Sequence, residues 1–218
     1  MIALTLVCAI ACLVLVYGEY RADNRIRYVA KPVASLAFIG VGAYAAYATG
    51  TDDFTLAVLA GLILGAVGDV ALLSPHGFLA GLGAFLLGHL AYAVAVGQDL
   101  PPRTWPHAAG EYGVVPIFVG MGVLAWLWPK LGKLRVPVIF YIAVILVMVV
   151  AAIALVRASV PGMTVQRREL FALGAILFFA SDLAVARDKF VAKGFVNRAW
   201  GLPVYYAGQL LIGWSLYR

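Results

Sequence analysis

The sequence predicts an all-α membrane protein of eight spanning helices in one domain, residues 1–218, and three observations predict it. Hydrophobic residues make up 64% of the chain, mean hydropathy is +0.98 and charged residues are only 12%, too few to cover the surface of a soluble domain of 218 residues. Apolar runs of about 20 residues, the length that crosses a bilayer, recur eight times between turn signals. The 23 glycines suit the close approach of helices in lipid. The net charge of +6 then reports loop basicity and contact with membrane lipids; it does not point to nucleic acid.

The runs lie near 2–18, 29–49, 54–74, 78–97, 113–129, 136–156, 169–187 and 200–217. The first has no basic segment before it, so it is expected to be a span, not a cleaved signal peptide. Its Cys8 and Cys12 lie four apart on one helix face and are expected to be packing residues. The second is opened by Lys31-Pro32 and closed by Gly50-Thr51-Asp52-Asp53. The third and fourth are separated only by the turn Ser74-Pro75-His76-Gly77, which makes them antiparallel neighbours. Asp99-Leu100-Pro101-Pro102 ends the fourth, and Arg135-Val136-Pro137 opens the sixth after a basic loop. Pro161-Gly162 and Lys193-Gly194 mark the last two breaks.

Basic residues are unevenly shared between the two faces. The loops after helices one, five and seven carry Arg21, Arg25, Arg27, Lys31, Lys130, Lys133, Arg135, Arg187, Lys189, Lys193 and Arg198. The other face has Arg103, Arg157, Arg167, Arg168 and Arg218. The positive-inside rule makes the first set cytoplasmic, so both termini are expected outside.

An internal similarity accompanies this pattern. Gly61-Leu-Ile-Leu-Gly-Ala-Val-Gly-Asp69-Val-Ala and Gly174-Ala-Ile-Leu-Phe-Phe-Ala-Ser-Asp182-Leu-Ala share glycine, Ile-Leu, aspartate and alanine in register. The similarity suggests two parallel four-helix halves, 1–100 and 110–218, alongside the alternative of chance likeness between apolar helices.

Chemistry centres on two aspartates. A carboxylate within a span costs about 2.5–3.5 kcal/mol on insertion scales, so it is expected to face the bundle interior. Asp69 and Asp182 each fall about five residues from the basic end of their helices, or roughly 8 Å below that interface at 1.5 Å per residue. Tyr141, Tyr205, Tyr206 and Gln209 come to similar depths, with His89 and Tyr92 nearer the midplane. Lys31, Arg187, Lys189 and Arg198 ring the mouth. A polar pocket with a basic rim and an apolar body suits a single-chain amphiphile with an anionic head. His76 and His107 belong to opposite faces, so a three-histidine metal site is excluded; no Gly-x-Ser-x-Gly elbow or P-loop is present, and no cofactor is expected.

Lys31-Pro32, Gly68-Asp69 with Leu72-Leu73, Phe85-Leu-Leu-Gly-His89-Leu-Ala-Tyr92, Phe178-Phe-Ala-Ser-Asp182 and Tyr205-Tyr206-Ala-Gly-Gln209-Leu-Leu together resemble the YhhN family, the membrane proteins that include the lysoplasmalogenases. The resemblance runs over nearly the whole chain. Gly208 departs from it where alanine is expected, and should slightly enlarge the local pocket. The resemblance implies a hydrolase that cleaves the vinyl ether bond of a lysoplasmalogen, a lysophospholipid, into a fatty aldehyde and a glycerophospho-base. It also points to a bacterial inner (plasma) membrane.

Vinyl ether cleavage protonates the distal alkene carbon, forms an oxocarbenium ion and adds water, much as glycoside hydrolysis does. Asp69 and Asp182 are expected to act as a general acid–base pair sharing one proton, with the acid unassigned. His89, Tyr92, Tyr205, Tyr206 and Gln209 would orient water or glycerol oxygens, and Lys31 and Arg198 would take the phosphate. The rival reading is a proton-coupled transporter, in which intramembrane aspartates are equally at home.

Overall fold

The computed structural model describes residues 1–218, all in helices, turns and short connections. Eight long helices form the bundle: α1 (Ile2–Tyr20), α2 (Asn24–Thr49), α3 (Asp53–Ala71), α4 (Phe78–Asp99), α5 (Val114–Leu127), α6 (Arg135–Arg157), α7 (Val165–Ala186) and α8 (Phe195–Trp214). Short helical turns flank α5, so the helical stretch from Pro102 to Lys130 is long enough to cross a bilayer. Seven of these stretches are long and apolar enough to span, and the chain is an integral membrane protein. The exception is α8, which carries Asn197, Arg198, Tyr205, Tyr206 and Gln209. It packs along α7 and against α1, α2 and α3, so protein covers its polar face and lipid does not have to.

Three helices begin earlier than the apolar runs suggest, two of them because polar caps start them before the membrane does. The Asp23 side chain accepts the amides of Arg25 (2.8 Å) and Ile26 (3.4 Å), so α2 opens at Asn24 and Pro32 lies inside it, not at its start. Thr164 caps α7 through the amide of Arg167 at 3.3 Å, four residues ahead of the predicted start. The third is α8, which begins at Phe195 after Gly194.

Glycines set how closely the helices meet. On α3, a Cβ added at Gly61, Gly65 or Gly68 would stand 2.3 Å from the Tyr92 ring, 2.7 Å from Gln209 Nε2 or 2.7 Å from the Phe85 ring. That stripe is therefore a groove seating one side chain from α8 and two from α4. Gly174 and Gly208 bring α7 and α8 into backbone contact: a Cβ at Gly208 would lie 2.9 Å from the Gly174 carbonyl oxygen, and one at Gly174 2.7 Å from that of Gly208. Gly208 thus tightens a helix crossing and does not enlarge the pocket, because it faces α7 backbone. Cys8 and Cys12 are free and buried in the core between α1 and its neighbours.

Both termini share the face opposite the basic loops. Thr49 Oγ1 donates to the Leu216 carbonyl (3.2 Å), Arg167 Nε to the Ser215 carbonyl (2.8 Å), and Arg218 pairs with Asp52. Partial burial pushes the Asp52 carboxyl up, but hydrogen bonds from Thr55 and the charges of Arg218 and Arg167 outweigh it and hold it below the usual carboxylate range.

Candidate active site

Two polar clusters stand at the basic-face end of the bundle. The first is built on α2 and α3. Lys31 and Ser35, one helical turn apart, face Asp69. Lys31 Nζ lies 3.3 Å from Asp69 Oδ1, and Ser35 Oγ donates to Asp69 Oδ2 at 2.7 Å. Tyr206 Oη of α8 reaches the same Oδ2 at 3.5 Å. Asp69 is only 2% exposed, so both oxygens are engaged and its charge is matched by Lys31.

The second cluster joins α4, α6 and α7. Tyr141 Oη donates to Asp182 Oδ2 at 2.8 Å, and His89 Nε2 lies 3.0 Å from the same oxygen and 3.1 Å from Tyr141 Oη. His89 is fully buried and its Nδ1 has no hydrogen-bond partner in the chain. A proton on Nδ1 would be a buried donor without an acceptor, so the proton belongs on Nε2, directed at Asp182. Both contacts fall on Oδ2, and Oδ1 takes none. Asp69 and Asp182 therefore keep separate partners, and no hydrogen bond joins them.

The two carboxyl groups do line one cavity of about 730 Å³. Its walls come from α1, α2, α3, α4, α7 and α8 and the turns at the basic face; none of its lining residues belongs to the opposite loops. Of the predicted site residues, Lys31, Asp69, Asp182, Tyr205 and Arg198 line it. His89, Tyr92, Tyr206 and Gln209 stand behind that surface: Tyr92 Oη donates to Gln209 Oε1 at 2.6 Å, and all four are buried. Tyr205 Oη and Gln209 Nε2 have no partner within the chain, and of the two residues Tyr205 faces the cavity.

A charged collar surrounds the mouth. Glu19 accepts from Arg27 Nε and from Arg198 Nη1, both at 2.7 Å, and Arg198 Nη2 reaches Asp188 at 3.1 Å. Asp188 sits in a π-helical turn, Arg187–Val191, that re-aims the end of α7; it also accepts the Gly194 amide (2.9 Å) and Asn197 Nδ2 (3.1 Å). Arg187 in turn donates to Asn197 Oδ1. Lys31 and Arg198 are thus each committed to carboxylates. Lys189 and Lys193 line the cavity without an ion-pair partner, and Lys189 Nζ lies 4.3 Å from the centre of the Phe78 ring. Tyr141 was marked in the sequence by its depth alone; Ser35, Glu19 and Asp188 had no signal beyond their residue type, because the partners that give them their roles stand on other helices.

The sequence model of the YhhN family matches residues 26–216. The chain is similar to a lysoplasmalogenase of Mycobacterium tuberculosis (34% identity; 82% of this chain, 66% of that protein). It is similar to human Lysoplasmalogenase TMEM86A at 34% identity, covering 81% of this chain and 69% of that one. A membrane protein of Escherichia coli O157:H7 named YhhN is 30% identical over 92% of this chain and 91% of its own length. The chain therefore spans slightly under two thirds of the mycobacterial relative's length. No solved structure matches. Family-length coverage, together with the Asp69, His89, Asp182 and Gln209 motifs at the interior of the bundle, establishes that this chain belongs to the YhhN family.

Proposed function

We propose that the chain is a membrane hydrolase that cleaves the vinyl ether bond of lysoplasmalogens to a fatty aldehyde and a glycerophospho-base. The observation that carries this reading is the placing of two carboxyl groups with different partners on one cavity open at a single face. The names of the relatives supply the reaction class.

Asp182 is the group that moves the proton. Tyr141 and His89 fix Oδ2, so the carboxyl is oriented and Oδ1 is left for substrate. Protonated, Asp182 delivers its proton to the distal alkene carbon and electrons from the ether oxygen form the oxocarbenium ion. As carboxylate, it takes a proton from the water that adds to the adjacent carbon, and the hemiacetal collapses to aldehyde and free glycerol hydroxyl. One water is consumed. Asp69 remains a carboxylate paired with Lys31 and supplies a fixed negative charge on the same cavity wall, which favours the cation over the neutral ether. The Tyr205 ring forms part of the same cavity wall, and its Oη is buried behind it. The phosphate falls to Lys189 and Lys193, the cations of the rim not already paired.

A carrier needs access from both faces, and the cavity's lining residues come from one. We place the basic face in the cytoplasm of a bacterial inner membrane, with both termini outside. Three of the five arginines that oppose this orientation are held by backbone carbonyls: Arg157 donates to Ala108 O (3.2 Å), Arg168 to Val156 and Ala158 oxygens, and Arg167 to Ser215 O. The helix neighbours also recur between halves: α2–α3 with α6–α7, α3–α4 with α7–α8, and α2–α8 with α6–α4. That correspondence supports halves 1–100 and 110–218 as related units.

The test is purified protein in liposomes containing lysoplasmenylethanolamine. Release of long-chain aldehyde with equimolar glycerophosphoethanolamine is expected, and no release from the acyl analogue. Absence of aldehyde at any protein concentration would sink the reading.

A further inference from the structure

A second pocket adjoins the first, and its chemistry is the opposite. It is walled by α4, α5, α6 and α7, and 15 of its 16 lining residues are hydrophobic. The remaining one is Asp182, which also lines the polar cavity. The two spaces share Leu72, Phe78, Phe85, Val185 and Phe190 as well, so they meet along one seam with Asp182 on it. Tyr141, which donates to Asp182, belongs to the apolar side; Asp69, Lys31 and Tyr205 belong to the polar side.

We propose that this apolar pocket holds the first carbons of the alkenyl chain of a single-chain ether lipid, so that the vinyl ether lies across Asp182 at the seam. The inference rests on the hydrolase reading above and adds where the chain goes. A vinyl ether is itself the junction between a polar glycerophosphate and an apolar chain. With the head in the polar cavity and the chain in the apolar pocket, the distal alkene carbon, which must be protonated, falls on the chain side of that junction next to the only carboxyl group both spaces share. Ile142, Phe179 and Leu183 are half-buried on the pocket's outer side, so the rest of the chain continues into the bilayer. Phe78 and Phe190, edge to face at 5.9 Å, mark the cytoplasmic end of the seam. A methylene gains little by moving from lipid into such a pocket, because both are apolar. The pocket therefore positions the chain more than it adds affinity, and the reacting bond is placed by the direction in which the chain leaves.

The experiment uses the full-length protein in liposomes with a saturated, non-hydrolysable ether lysophosphatidylethanolamine carrying a diazirine on the third carbon of its chain. Photolysis and peptide mapping are expected to place adducts on Val123, Ile142, Phe179 or Leu183, with competition by lysoplasmenylethanolamine. Ile142→Trp, which fills the pocket, should cut that labelling at least fivefold and lower kcat for aldehyde release about tenfold with KM little changed, while the lipid-facing Leu173→Trp changes neither. Adducts spread over the faces of α1 and α2, or confined to another cavity, overturn the proposal even if Ile142→Trp fails to fold, because the map is made on the unaltered chain. Labelling of the pocket without any aldehyde release would instead refute hydrolysis and leave the chain site standing.

Discussion

Replacing Lys31 with methionine should be among the most damaging single changes in the bundle. Lys31 Nζ is 3.3 Å from Asp69 Oδ1, and Asp69 is 2% exposed. At an effective dielectric of about 20, charges at that distance attract by about 5 kcal/mol. The Ser35 hydroxyl at 2.7 Å and Tyr206 at 3.5 Å remain, but neutral donors do not cancel a charge. Removing one partner of a buried pair costs about 3–5 kcal/mol, and that range is expected for Lys31→Met. Asp69→Asn should cost less, because the Lys31 side chain borders the cavity and its ammonium can turn towards water. The double variant should recover most of the loss, since no unpaired charge is then buried. Unfolding of the four proteins in mixed micelles, followed by circular dichroism, gives the cycle. Additive losses, or a Lys31→Met cost below about 1 kcal/mol, would show that the pair does not hold Asp69 in its charged form.

Three further outcomes follow from particular contacts. Tyr141→Phe removes a donor 2.8 Å from Asp182, and a hydrogen bond to a charged group is worth about 1.5–3 kcal/mol, so aldehyde release should fall roughly 10- to 150-fold with fold and lipid labelling retained. Gly174→Ala places a Cβ 2.7 Å from the Gly208 carbonyl and 3.0 Å from the Ile212 amide, so α7 and α8 must part; a loss of about 1–3 kcal/mol in the same unfolding assay is expected. Asp52 caps α3 through the Thr55 amide at 2.8 Å, and its carboxyl is held below the usual range. Its ionised form therefore adds stability above its unfolded-state value, which is lost as pH falls through the lower folded one; Asp52→Asn keeps the cap, worth about 1 kcal/mol, and should flatten that acid limb of a thermal-midpoint titration.

Much of this was legible in the chain because lipid imposes long apolar runs and makes a buried carboxylate conspicuous. The eight helices, the turn at 74–77, and Asp69 and Asp182 at one end all follow from those two facts. The starts of α2 and α7 were not legible from hydropathy, because Asp23 and Thr164 begin those helices in polar sequence. The division of labour was hidden for a different reason. Two aspartates at matched depth read as a pair, yet each faces different neighbours: Asp69 meets Lys31 and Ser35 of α2, and Asp182 meets His89 of α4 and Tyr141 of α6. Periodicity gives a residue's depth and face on its own helix, but not which other helix packs against that face. Gly208 shows the same limit, since its neighbour across the crossing is Gly174 and not the cavity.

The central claim is that Asp182, anchored through one oxygen and open to the cavity through the other, moves the proton in vinyl ether cleavage. The initial rate of aldehyde release from lysoplasmenylethanolamine by the unaltered chain and by Asp182→Asn, normalised to folded protein, tests it most directly. A fall of at least about 100-fold in kcat is expected for loss of a general acid–base group. A rate for Asp182→Asn equal to that of the unaltered chain would contradict the account.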